Sequence, residues 1–136
     1  MKVHTTNYQS VFILVADDCK ATQGEVPPVK NDKTIANIQF DMICENPYKY
    51  TSDDIVFHSY AMKNNIAKSD LKEAREQFFS KGQPCLRTSP LSKRYGWGTH
   101  HDGNGKVAMY ACETKEYDQF ANDKQLKVIK AIRSSK

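Results

Sequence analysis

Two short segments, Arg94–His101 (RYGWGTHH) and Lys106–Cys112 (KVAMYAC), flank the tetrapeptide Asp102-Gly103-Asn104-Gly105. Both segments carry β-forming residues, Tyr95, Trp97 and Thr99 in the first and Val107 and Tyr110 in the second, and the tetrapeptide between them has turn chemistry. The pattern predicts an antiparallel hairpin, and a hairpin constrains what the rest of the chain must do. A lone two-stranded ribbon is marginal in water, so further strands and helices have to cover it.

The remaining segments supply those elements. Ser10–Ala16 (SVFILVA) is rich in β-branched and aromatic residues and predicts a buried strand. Asp17 to Lys33, interrupted by Gly24 and Pro27-Pro28, predicts a loop. Thr34 is placed to N-cap a helix from Ile35 to about Glu45, with Ile35, Ile38, Met42 and Ile43 on one face and Pro47 beyond its end. Thr51–Asp54 predicts a polar turn. Ile55–Met62 predicts a strand, with Ile55, Phe57 and Ala61 on one face and Val56, His58 and Tyr60 on the other. Asp70 and Glu73 form a D-x-x-E capping pattern for a helix carrying Leu71, Ala74, Phe78 and Phe79, with Gly82 as its C-cap. Pro84–Pro90 predicts a loop, Thr114 caps a short helix with Tyr117 and Phe120, and Leu126–Arg133 is assigned as a strand. The expected fold is α+β: one domain over residues 1–136 with a mixed or mainly antiparallel sheet of four to five strands. Two to three helices pack on one face, and the basic tail at about 133–136 could be flexible.

Composition narrows the functional classes. With 39% apolar and 26% charged residues the chain is neither disordered nor membrane-embedded, and no apolar run reaches bilayer length. No apolar stretch follows the basic start closely enough to act as a secretory signal. Cys19, Cys44, Cys85 and Cys112 are scattered without a C-x-x-C pair, so reduced thiols and a cytoplasmic location are expected, with no disulfide framework. Between Lys81 and Lys106 five cations stand against Asp102 alone, so this window carries the whole net charge of +4.

Strand alternation sorts Arg94–His101 into two faces. Tyr95, Trp97, Thr99 and His101 point one way; Arg94, Gly96, Gly98 and His100 point the other. Glycines within a strand often mark a bulge or the close approach of a ligand or another backbone. The glycine face could therefore be a shallow slot for a small anionic or aromatic ligand, with Arg87, Lys93, Arg94, Gly96, Trp97, Gly98 and His100 as its candidate binding residues. Alternatively a helix aromatic such as Phe78 or Phe79 fills the slot while Trp97 anchors the core. Cys85 lies in a loop beside Arg87, a cation that could lower a thiol pKa, and with a histidine it would be a candidate nucleophile or redox thiol. The basic run Lys124, Lys127, Lys130, Arg133 and Lys136 could contact nucleic acid, although solvated basic termini are common. No zinc spacing, complete calcium loop or Walker motif is present, so neither a metal nor a cofactor is expected. Adjacent pairs such as Asp17-Asp18 and Asp53-Asp54 diverge in extended chain and suit turns and caps better than acid–base work.

The segments His4–Tyr8 (HTTNY), Gly24–Lys30 (GEVPPVK), Thr34–Phe40 (TIANIQF), Asn46–Asp54 (NPYKYTSDD), Phe78–Arg87 (FFSKGQPCLR) and Ser89–Gly98 (SPLSKRYGWG) together resemble a family of short bacterial proteins known only as a domain of unknown function. The resemblance runs over nearly the whole chain and is most specific in the last three segments. It implies a self-contained single-domain protein and assigns no catalytic residue.

Overall fold

The computed structural model describes residues 3–134, so the last two residues of the basic tail lie outside the described residues. Strand β1 spans Val11–Leu14 within the predicted apolar run, and Phe12 and Ile13 are fully buried on opposite sides of it. The hairpin forms β2 (Trp97–His101) and β3 (Val107–Ala111), antiparallel, with Trp97 opposite Ala111 and His101 opposite Val107. Asp102 organises the turn, its carboxylate accepting the backbone N–H of Asn104 and of Lys106, each at 2.9 Å. Gly105 supplies the left-handed φ of +78° that this turn requires. Strand β4 (Lys127–Lys130) runs parallel to β1, and β1 pairs antiparallel with β2, so the mixed four-stranded sheet has the order β3-β2-β1-β4.

Helix α1 (Ile35–Glu45) begins with a reciprocal cap: Asn37 N–H donates to Thr34 Oγ1 at 3.2 Å and Thr34 N–H donates to Asn37 Oδ1 at 2.9 Å. The next segment corrects the prediction. Ile55–Met62 is part of a helix, α2 (Ser52–Lys63), and not a strand. Positions two apart on a helix lie about 200° apart around its axis, so a helix buried on two sides can imitate strand alternation. Here Ile55 packs into the main core while Phe57 and Ala61 pack into a second cluster with Phe79, Leu71 and Phe78. The N-terminal segment locks the start of α2. Thr6 N–H and the hydroxyls of Thr5 and Thr6 donate to the Asp53 carboxylate at 2.6–2.7 Å, and Asp53 N–H donates to Asn7 Oδ1 at 2.8 Å.

Helix α3 (Leu71–Phe78) follows a 3₁₀ turn at Lys68–Asp70, and the Asp70 side chain makes no capping bond. It ends well before Gly82, because side chains take its last carbonyls: Gln83 Nε2 donates to Phe78 O at 2.7 Å and Ser80 Oγ donates to Gln77 O. A single turn, α4 (Pro90–Lys93), follows the expected loop, with Ser89 as N-cap and Pro90 in the first turn. Helix α5 (Lys115–Ala121) is capped by Thr114 as expected. The described residues therefore hold five α-helices and not two to three, the additions being α2 and α4.

The helices also lie on both faces of the sheet and not on one. Ile43 of α1, Ile55 of α2 and Leu91 of α4 pack with Val11, Ile13 and Val107. On the opposite face Phe12 meets Tyr117 and Phe120 of α5, with ring centroids 5.2 and 5.3 Å apart. Phe12 points away from its neighbours Val11 and Ile13 along the strand, so it needs a separate cover.

Candidate functional site

The glycine face is occupied by protein. A Cβ on Gly98 would stand 2.6 Å from a ring carbon of Tyr117 and 2.7 Å from Phe12 Cζ. Strand and helix aromatics thus fill the space, but they are Phe12 and Tyr117 and not Phe78 or Phe79. Gly96 lies before β2 with φ +81°, and its missing side chain leaves room for the Gln23 carbonyl. Trp97 ties the hairpin to the long loop, its indole N–H donating to Glu25 O at 2.8 Å and its ring edge meeting Phe40.

The other candidate side chains do not converge on one point. His100 stacks on Phe120 with centroids 4.2 Å apart, and its Nδ1 lies 2.8 Å from Tyr48 Oη, which in turn lies 2.8 Å from Tyr110 Oη. Burial holds the His100 pKa below its usual value and raises that of Tyr48, to which the Tyr110 hydrogen bond adds. Tyr48 sits in the left-handed region at φ +60°, where its N–H donates to Val107 O and carries the ring round the β3 edge. Arg87 is engaged elsewhere: its Nε donates to Lys130 O at 2.8 Å, while Ile132 N–H donates to Arg87 O, joining the 86–88 turn to the end of β4.

Lys93 and Arg94 do share a surface. Arg94 closes α4 as its C-cap and is not in a strand, so it leaves the glycine face altogether. With Lys93 it lines an open cleft of about 480 Å³, together with Lys20, Asp18 and Ser134. None of the three cations forms an ion pair among the described residues, while the Asp18 carboxylate accepts Ser134 N–H at 2.9 and 3.2 Å. Lys20 has no sequence signal, since the long loop alone delivers it there.

Cys85 lies 3.0 Å from Tyr8 Oη, and no histidine is hydrogen-bonded to it among the described residues. Burial, with the Cys85 hydrogen bond next, pushes the Tyr8 phenol up to about 12, so it stays protonated at neutral pH. The Tyr8 ring meets His101 edge-on at 5.4 Å. His101 is fully buried with Nε2 3.1 Å from Thr99 Oγ1, and its Nδ1 has no partner among the described residues. Cys85 also lines a cavity of about 270 Å³ bounded by α1, α2 and the loop that leads to α4. At its buried end stand Gln39, Ser59 and Ser89, none of them among the residues singled out from sequence. One signal for Gln39 is visible in the sequence: it falls four residues after Ile35 and four before Ile43, a polar residue on an apolar helical stripe.

No group of three or more His, Cys, Asp and Glu side chains that could hold a metal ion occurs among the described residues, and none of their helices is long and apolar enough to cross a membrane. No curated protein and no solved structure matches the chain. A family model does, over residues 3–136, and the chain belongs to the family it describes, "Family of unknown function (DUF6157)".

Proposed function

We propose that this chain is a binding module for a small, multiply charged anion, held in the cleft of Lys20, Lys93 and Arg94. The observation that carries the proposal is the set of three cations on one open cleft, none ion-paired among the described residues. Arg94 offers a planar fork suited to two oxygens of a carboxylate or phosphate, while the two lysines act as point charges. Asp18 opposes an anion there, but its oxygens already accept the Ser134 N–H, which draws the carboxylate toward the backbone of residue 134. Salt screens attraction between exposed charges, so affinity would fall as ionic strength rises.

The test is a thermal-shift titration of wild type, Arg94→Ala and Lys20→Ala with pyrophosphate and with citrate, at low and moderate salt. A ligand at about 100 times its Kd stabilises the native state by about 2.7 kcal/mol, which is several degrees for a chain of this size. The midpoint should rise in wild type, rise less with added salt, and not rise in Arg94→Ala. An undiminished shift in Arg94→Ala removes the cleft as the site.

A further inference from the structure

We infer that the cavity lined by Gln39, Ser59, Ser89 and Cys85 is a second binding site, one that takes a single-ring, uncharged molecule carrying an amide or lactam edge. Direction in the hydrogen bonds at its buried end makes the case. Ser89 Oγ accepts Leu91 N–H as the cap of α4 and donates to Gln39 Oε1 at 2.7 Å. Ser59 Oγ lies 3.0 Å from the carbonyls of both Ile55 and Val56, so its proton is drawn to them and its oxygen is left to accept. Gln39 Nε2 accordingly donates to Ser59 Oγ, at 3.3 Å. These bonds orient the amide, oxygen toward Ser89 and nitrogen toward Ser59.

The orientation leaves one Gln39 amide hydrogen and one oxygen lone pair without a partner among the described residues, on a side chain only 5% exposed. A donor beside an acceptor on a planar group matches the edge of another amide or lactam, which would return both bonds at once. The walls suit a ring. Tyr60 and Phe78 line the cavity with centroids 4.6 Å apart, and Val56 adds an aliphatic surface. No Lys, Arg, Asp or Glu is among the described lining residues, so an ionised ligand would find no opposite charge there to offset the water it gives up. A cavity of about 270 Å³ lies just below the ~300 Å³ at which pockets begin to hold drug-sized ligands, which limits the occupant to about one ring.

This site shares no residue with the cationic cleft, so each proposal stands or falls without the other. The experiment is a nitrogen–proton correlation titration of the full chain with nicotinamide, with uracil, and with benzoate as a charged ring of similar size. Nicotinamide and uracil should move the Gln39 side-chain amide pair and the Cys85 backbone amide saturably, and benzoate should leave both in place. Gln39→Leu should abolish the Cys85 response. Because that change also disturbs buried partners, Tyr60→Ala, at a position 39% exposed, provides the second variant, and it should weaken the response about tenfold, or about 1.4 kcal/mol. A flat titration with both neutral rings overturns the site. So does a response to nicotinamide that survives both variants, and an equal response to benzoate overturns the ligand class.

Discussion

Replacing Gly98 by alanine asks directly whether the hairpin's glycine face is filled. Gly98 lies inside β2 and does not have a left-handed φ, so alanine meets no backbone penalty there. The whole cost is contact. The new Cβ would stand 2.6 Å from the Tyr117 ring and 2.7 Å from Phe12 Cζ, against the ~3.5–4.0 Å that separates carbon atoms at their optimum. Neither ring can retreat cheaply. Phe12 is fully buried and stacked on Phe120, and the Tyr117 hydroxyl accepts Val15 N–H at 3.0 Å. Forcing a methyl group into a packed core typically costs about 1–3 kcal/mol, and two immovable contacts place this change at the upper end. Restricting the unfolded chain returns only about 0.4–1 kcal/mol. A net loss of about 2 kcal/mol, or roughly 6–10 °C in Tm, is expected. Urea denaturation should show it as a lower midpoint at unchanged slope. Gly103→Ala, whose Cβ would meet nothing within 4 Å among the described residues, serves as the control and should change stability by less than about 0.5 kcal/mol. If Gly98→Ala is as stable as that control, Phe12 and Tyr117 do not fill the face and the packing argument fails.

Two further expectations concern the core and the caps. Burial, then the neighbouring His100, lowers the His101 pKa to about 4, so the folded protein holds this imidazole neutral. Its contribution is complete above the unfolded value of 6.5 and is lost as pH falls toward 4, a gap of about 3 kcal/mol. Denaturation at pH 7 and pH 4.5 should show a steeper loss in wild type than in His101→Gln, and parallel losses would refute it. Thr51 Oγ1 accepts Asp54 N–H at 3.2 Å while Thr51 N–H donates to the Asp54 carboxylate. Thr51→Ala should cost about 1 kcal/mol and Thr51→Ser much less, and equal stabilities of the two variants would show that the cap does not hold α2.

The elements legible in the sequence are those whose signals are local. A capping threonine before an apolar stripe marks α1 and α5, and alternation around Asp102–Gly105 marks the hairpin. Helix α2 escapes because it is buried on two sides, and Ile55 and Phe57 answer to different cores. Helix α4 is one turn long, too short for periodicity, and only Ser89-Pro90 hints at it. The candidate site fares less well, since strand alternation extended too far toward the N-terminus. Arg94 belongs to the end of a helix and lies outside the strand that holds Gly98, so strand alternation does not place the two on one face.

What the amino-acid order determined by itself is the mixed α and β content, the hairpin and its turn, the caps at Thr34 and Thr114, and a basic stretch containing Lys93 and Arg94. These depend on residues a few positions apart, whose interactions are set by chain geometry alone. Only the tertiary structure decided that α2 is a helix and that Phe12 and Tyr117 close the glycine face. It alone brought Lys20 to Lys93 and Arg94, and Gln39 to Ser59 and Ser89. Those outcomes join residues 19 to 105 positions apart in the chain, and such meetings are settled by how apolar faces exclude water together, which no local window of sequence contains.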